Sequence, residues 1–153
     1  MSTILGLDAS STMIGWCILQ DGRALQHGEI KLPAANIAAR CEAAQRELIL
    51  LLDACPCDAV AIESPVARFA SAVIPQARVS GALLAMCHLR DIAWLEIEPS
   101  KAKRALCGRG NGSKEDMQLM AADYGVYGEH ASDSLGVALA AVGRVVVEEA
   151  VAV

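Results

Sequence analysis

The dipeptide Asp21-Gly22 sits between an apolar run, Met13 to Gln20, and the next run, residues 23–31. A two-residue Asp-Gly connection is a hairpin turn, and it commits the strands on either side of it to run antiparallel. Upstream, Thr3-Ile4-Leu5-Gly6-Leu7-Asp8 is a third short apolar run, joined to Met13 by the polar turn Ala9-Ser10-Ser11-Thr12. The chain therefore opens as an antiparallel three-stranded meander.

Beyond the meander the period changes. From Ala34 to Ala54, Ile37, Cys41, Ala44, Leu48 and Leu51 recur at three- and four-residue spacing, which predicts a helix. Asp58-Ala59-Val60-Ala61-Ile62-Glu63 is a buried strand, residues 76–90 a second helix and 92–97 a fifth strand. Residues 114–124 read as a third helix and about 130–149 as the last. That order predicts one α/β domain over residues 1–153, with an antiparallel edge on an otherwise parallel five-stranded sheet. Aromatics make up 3% of a chain that is 54% hydrophobic, so the core is aliphatic and an aromatic-rich stacking surface is excluded. Trp16 and Trp94 lie inside strand-like runs and are expected in the core. No run reaches the roughly 18 uninterrupted apolar residues of a membrane span, and no signal segment is visible. The six scattered cysteines read as reduced thiols. Together these point to the cytoplasm, or a host's cytoplasm for a viral protein.

Two strands end in acids, Asp8 and Glu63. If those strands are adjacent and parallel, both carboxylates leave the same sheet edge, where open α/β sheets place ligands. His130 and Asp133, three apart at the start of the last helix, share one face of it. Three carboxylates and one imidazole are ligands for Mg2+ or Mn2+ rather than for structural zinc. Such a site suits in-line phosphodiester displacement.

The stretches Ile4-Leu5-Gly6-Leu7-Asp8, Val60-Ala61-Ile62-Glu63, Pro75-Gln76-Ala77-Arg78 and His130 to Ala140 resemble the RuvC family of Holliday-junction resolvases. The resemblance implies an RNase H-like fold, a homodimer, and symmetric, divalent-metal-dependent nicking of four-way DNA junctions. Asp8, Glu63, His130 and Asp133 fall on that family's four catalytic positions, and Lys103 and Lys114 on its basic DNA-contacting positions. Phe69 is the candidate for the aromatic that stacks at the crossover, with Arg68 beside it to reach a phosphate. Two departures stand out: Ala9-Ser10-Ser11 replaces a glycine-containing turn, and Pro75 stands where glycine is common.

A net charge of −5 argues against a nucleic-acid grip, until its placement is considered. Residues 99–114 hold Lys101, Lys103, Arg104, Arg109 and Lys114 and no acid, a +5 segment on a −10 remainder. We read this stretch as a basic turn followed by a mobile Gly-Arg-Gly-Asn-Gly loop that follows a phosphate backbone. Lys114 is also placed to stabilise charge at the scissile phosphate.

The sequence thus predicts a Mg2+-dependent endonuclease for branched DNA, a four-way junction or fork, with Mn2+ able to substitute. Its catalytic set is Asp8, Glu63, His130, Asp133 and Lys114. Two rival readings are a junction-binding protein whose nuclease activity is weak or lost, and an actin-like or kinase-like nucleotide binder. The latter requires a duplicated domain that this length does not hold.

Overall fold

The turn at Asp21-Gly22 forms with both residues at positive φ, 49° and 77°, joining β2 (Met13–Gln20) to β3 (Arg23–Lys31) as antiparallel neighbours. The register slips between Ile18 and Leu19, making Leu25 the extra residue of a bulge. A computed structural model describes residues 2–66 and 70–151. Within them β1 (Thr3–Ala9) pairs antiparallel with β2 and parallel with β4 (Ala59–Glu63), which pairs parallel with β5 (Ala93–Ile97). The order is β3-β2-β1-β4-β5, the expected meander feeding a parallel half.

Alternation along β1 and β4 divides the core into two layers. Leu5, Leu7, Ile18, Val60 and Ile62 face α1 (Ile37–Ala54) and α2 (Ala70–Leu89) and meet Leu48, Leu52, Val79 and Leu83. Ile4, Cys17, Leu19, Ala61 and Ile97 face α3 (Pro99–Cys107), α4 (Lys114–Ala122) and α5 (Glu129–Val151) and meet Ala102, Leu106, Met117, Leu135 and Ala138. The result is a sheet sandwiched between two helical layers, as an RNase H-like fold requires.

Four expectations need correction. First, α1 begins at Ile37 rather than Ala34, because the Asn36 side chain accepts the Ala39 N–H and caps it there. Second, α2 begins at Ala70, six residues before the expected start, and carries Pro75 inside it. As its sixth residue, Pro75 offers no N–H to the Ser71 carbonyl, and the helix is carried past it by the burial of Val79, Ser80, Leu83 and Cys87. Third, residues 99–107 are a helix and not a basic turn. Pro99 occupies its first turn and Gly108, at φ 79°, closes it in the left-handed conformation. Fourth, Trp94 is 44% exposed, because β5 is the sheet's edge strand; Trp16 is half-buried against the α1/α2 layer.

All six cysteines are free thiols, Cys17 and Cys87 buried and the others half-buried. The helix α2 is long and apolar enough to cross a membrane by length and composition alone. In the fold it lies on α1, with Val79, Ser80, Leu83 and Cys87 buried. Arg68 and Phe69, the candidate junction-contacting pair, lie outside the described residues.

Candidate active site

Register decides where the acids go. Leu7 pairs with Ile62 in the parallel β1–β4 ladder, so Asp8 and Glu63 each follow that pair by one residue and leave the same edge side by side. The helix α5 crosses this edge at backbone contact distance. Gly6 lies beneath the Ser134 carbonyl and Gly15 beneath His130, and a Cβ at either position would collide with the helix backbone. Those two glycines therefore bring His130 over Asp8, Nδ1 to Oδ2 3.1 Å. Asp133, one turn further along, enters the same cleft as Glu63. There a cavity of about 250 Å3 is lined by Glu63, Val66, Pro99, Lys103, Lys114, Met117 and Asp133.

The turn after Asp8 needs no glycine. Ser10 Oγ accepts the backbone N–H groups of Thr12 (3.2 Å) and Met13 (2.9 Å), and its own N–H bonds the Met13 carbonyl at 2.8 Å. Among the described residues Asp21 and Asp91 are the non-glycine ones at positive φ, so Ala9-Ser10-Ser11 turns without left-handed backbone.

The electrostatics are those of negative charge held out of water. Burial pushes the Glu63 carboxyl up to about 9, and the charges of Asp8 and Asp133 add to the shift, while Lys103 opposes it. Asp133 is pushed up to about 6, first by burial and then by Asp8, with His130 opposing. The hydrogen bond to Asp8 raises His130, against its own desolvation. Among the described residues no three His, Cys, Asp or Glu side chains close around one point as a ready-made ligand shell. What the structure presents is facing carboxylates with more negative charge than their surroundings neutralise.

The chain's own capping and pairing hold this cleft together. The helix α5 starts just after Gly128, which has φ 106° and no side chain to cap with. Glu29 of β3 takes that role, its Oε1 accepting the N–H groups of His130 (2.9 Å) and Ala131 (3.3 Å). A carboxylate at a helix N-terminus also favours the macrodipole. Lys114, at the start of α4, pairs with Glu129 at 2.5 Å across the mouth of the cleft. Arg109 pairs with Asp116 at 2.5 Å, and Asp116 forms a capping box with Ser113. The Gly-rich segment is therefore tied to α4 and not loose as the sequence suggested.

Of the predicted site residues, Asp8, Glu63, His130, Asp133, Lys103 and Lys114 come together. Lys101 and Arg104 lie on the other side of α3, away from the carboxylates. Glu29 and Glu129 were not singled out in the sequence. Gly128 before the helix start, with no Ser, Thr, Asp or Asn there, leaves the cap unassigned but points neither to Glu29 nor to the Glu129–Lys114 pair.

The family model for Crossover junction endodeoxyribonuclease RuvC matches residues 4–141, nearly the whole chain. The chain belongs to the RuvC family. A RuvC from Chlamydia caviae is 32% identical over 124 residues, covering 76% of this chain and 74% of that protein. One from Thermomicrobium roseum is 30% identical over 122 residues, covering 76% and 75%. Both are named crossover junction endodeoxyribonucleases. Among solved structures, Thermus thermophilus RuvC in complex with a Holliday junction substrate superposes with a TM-score of 0.78 at 22% identity, covering 92% of each chain. The yeast mitochondrial Holliday junction resolvase follows at 0.66 and 9%, covering 91% of this chain and 78% of that one. These structural likenesses establish the RNase H-like fold of a RuvC protein.

Proposed function

We propose that this RuvC-family chain is a crossover junction endodeoxyribonuclease that hydrolyses phosphodiester bonds in four-way junctions or forked DNA. The observation that carries the reading is the Leu7–Ile62 register, which sets Asp8 and Glu63 side by side beneath His130 and Asp133, with Lys103 and Lys114 on the rim. We assign Mg2+ as the cofactor, with Mn2+ able to substitute. The donor set fits it: three carboxylates and one imidazole, two of the acids raised by burial and by one another's charge. Mg2+ typically takes one or two carboxylates and keeps several waters, so it needs no preassembled shell of three side chains.

Asp8, Glu63, Asp133 and His130 would hold the ion. A divalent ion held by these residues would supply a lowered pKa for water and an offset for charge developing on the phosphoryl oxygens. The protein's own groups do the rest. Asp8 fixes the His130 ring through Nδ1, leaving Nε2 either to ligate the ion or, in place of that, to position the attacking water. Lys103 reaches into the cleft beside Glu63, where its charge meets a phosphate. Lys114 leaves Glu129 for the scissile phosphate, an exchange of one anion for another. Arg109 serves the same DNA surface from the turn before α4.

Symmetric nicking needs two active sites, and α2 supplies a surface for a homodimer. Its outer side exposes Ile74 (49%) and Leu89 (73%), and Gly81 there has open space in front of it. The cytoplasm, with its DNA and free divalent cations, is the compartment that suits this chemistry. Incubation with a labelled four-way junction, a fork and a linear duplex, with and without Mg2+ or Mn2+, tests the reading. Paired nicks confined to the branched substrates and dependent on metal support it. Tight junction binding without nicks in either metal would replace it with the binding-protein reading.

A further inference from the structure

The helix α3 has two cationic sides. Ala102 and Leu106 anchor it in the core, and Lys103 points into the catalytic cleft. On the opposite side Lys101, Arg104 and Ala105 face Ile97 of β5 and Ala140 and Arg144 of α5 across a separate open groove of about 550 Å3. Among the described residues no acid lines this groove. Resting on the proposed reading of the cleft, we infer that the groove is a second phosphate-backbone site, holding the duplex of a junction arm whose crossover occupies the active site.

Three features select that ligand. The rim carries three cations, and among the described residues the one side-chain anion paired with them is Glu98, 3.8 Å from Lys101 in an ion pair in which both side chains are more than half exposed. Such a pair is weak and yields readily to a phosphate. Arg144 is aimed and not free: one guanidinium N–H donates to the Glu96 carbonyl at 2.9 Å, which leaves most of its five donors for a ligand. Gly110 leaves room for the third cation, since a Cβ there would press on the Arg104 guanidinium at 3.3 Å.

The floor, formed by Ile97, Ala105 and Ala140, is apolar and holds no aromatic ring. Cations above an aliphatic floor match the alternation of phosphates and deoxyribose C–H edges along a DNA backbone. Without a ring to stack on, the groove does not read unpaired bases, which sets a duplex arm ahead of a single strand. Without base-edge contacts the grip is independent of sequence.

The spacing suits one arm. Arg144 lies eleven residues beyond Asp133 on the same helix, about 16 Å at 1.5 Å per residue. That is about five base pairs along a duplex leaving the cleft. Lys103 and the Lys101/Arg104 pair, on opposite sides of one nine-residue helix, would then bracket the backbone as it crosses α3.

The test is the salt dependence of junction binding by the full chain, wild type against Lys101→Ala/Arg104→Ala/Arg144→Ala, using a four-way junction with arms of twenty or so base pairs and Ca2+ in place of Mg2+. Three lost phosphate contacts lower the slope of log affinity against log salt by about 2.7. Between 50 and 200 mM salt the wild type then loses about 40-fold more affinity than the triple variant. The charge-keeping Lys101→Arg/Arg104→Lys/Arg144→Lys chain should recover the wild-type slope, and a thermal melt checks that the alanine variant is folded. Equal slopes for wild type and a folded triple variant overturn the inference while leaving the reading of the catalytic cleft intact. A wild type with no junction affinity overturns both. Were the groove built for an acidic peptide instead, the slopes would also stay equal, so that outcome counts against the arm.

Discussion

The Glu29 carboxylate accepts the backbone N–H of His130 at 2.9 Å, joining the outermost strand of the meander to the first turn of the helix that carries His130 and Asp133. The two residues are 101 positions apart. Because Gly128 cannot cap α5, this contact fixes where the helix begins and so the height of both side chains above Asp8 and Glu63. Glu29→Ala should cost about 1 kcal/mol of stability, the usual worth of a cap. It should also lower kcat for junction nicking about tenfold while changing KM little. Glu29→Gln keeps an acceptor oxygen and should recover most of kcat. An equal loss in both variants would mean that the charge, and not the cap, is what matters.

The packing of α5 on the sheet gives a second prediction. Gly15→Ala places a methyl group against the His130 backbone, with no side-chain end to yield. Overpacking of this kind costs about 1–3 kcal/mol, and lifting the helix should abolish nicking in protein that remains folded at low temperature. A Gly22→Ala change, at a turn with open space, is the comparison: it strains a positive φ but leaves α5 seated. Denaturant melts and nicking rates on the two variants separate these effects.

Stability should depend on pH in a direction set by the cleft. Glu63 and Asp133 are raised in the folded chain, to about 9 and about 6. The folded state therefore holds protons that the unfolded state has released. The stability of the metal-free protein falls as pH rises from the ordinary carboxylate range, first through the Asp133 value and then toward that of Glu63. A divalent cation competes with those protons, so its stabilising effect should grow across the same interval. Thermal melts from pH 5 to 9, with and without Mg2+, check both signs. A metal-free melting temperature that climbs steadily over that range would contradict the assignment.

The proposed homodimer would pair through the exposed side of α2. Ile74→Asp, at a half-exposed position, should leave the fold intact and shift the chain from dimer to monomer in sedimentation experiments. Paired nicks would then become single, independent ones. A wild type that sediments as a monomer at micromolar concentration would remove this part of the account.

The strongest local signals marked the carboxylate edge of the sheet. Asp8 and Glu63 could be read because each closes a short apolar strand, and the three-residue spacing of His130 and Asp133 put them on one helix face before any coordinates. The helix α3 was hidden by its composition: it opens on Pro99-Ser100, three of its nine residues are cations, and five cations in the sixteen residues 99–114 look like a loop. Its punctuation, Pro99 at the start and Gly108 just past the end, was nonetheless that of a helix. Glu29 was not legible, because a cap supplied across 101 residues leaves no mark on the sequence near the helix it caps. Arg144 became a candidate only when α5 was seen lying against α3, which brings it beside Lys101 and Arg104.

The central claim is that Asp8 and Glu63, set side by side by the Leu7–Ile62 register, are the carboxylates of a phosphodiester-cleaving site. Single-turnover nicking of an end-labelled four-way junction by wild type, Asp8→Asn and Glu63→Gln, in Mg2+ and with junction binding measured in parallel, tests it most directly. The expected result is symmetric nicks by the wild type, a loss of at least a hundredfold in rate in each variant, and junction affinity kept by both. Wild-type nicking rates retained by Asp8→Asn or Glu63→Gln would contradict it.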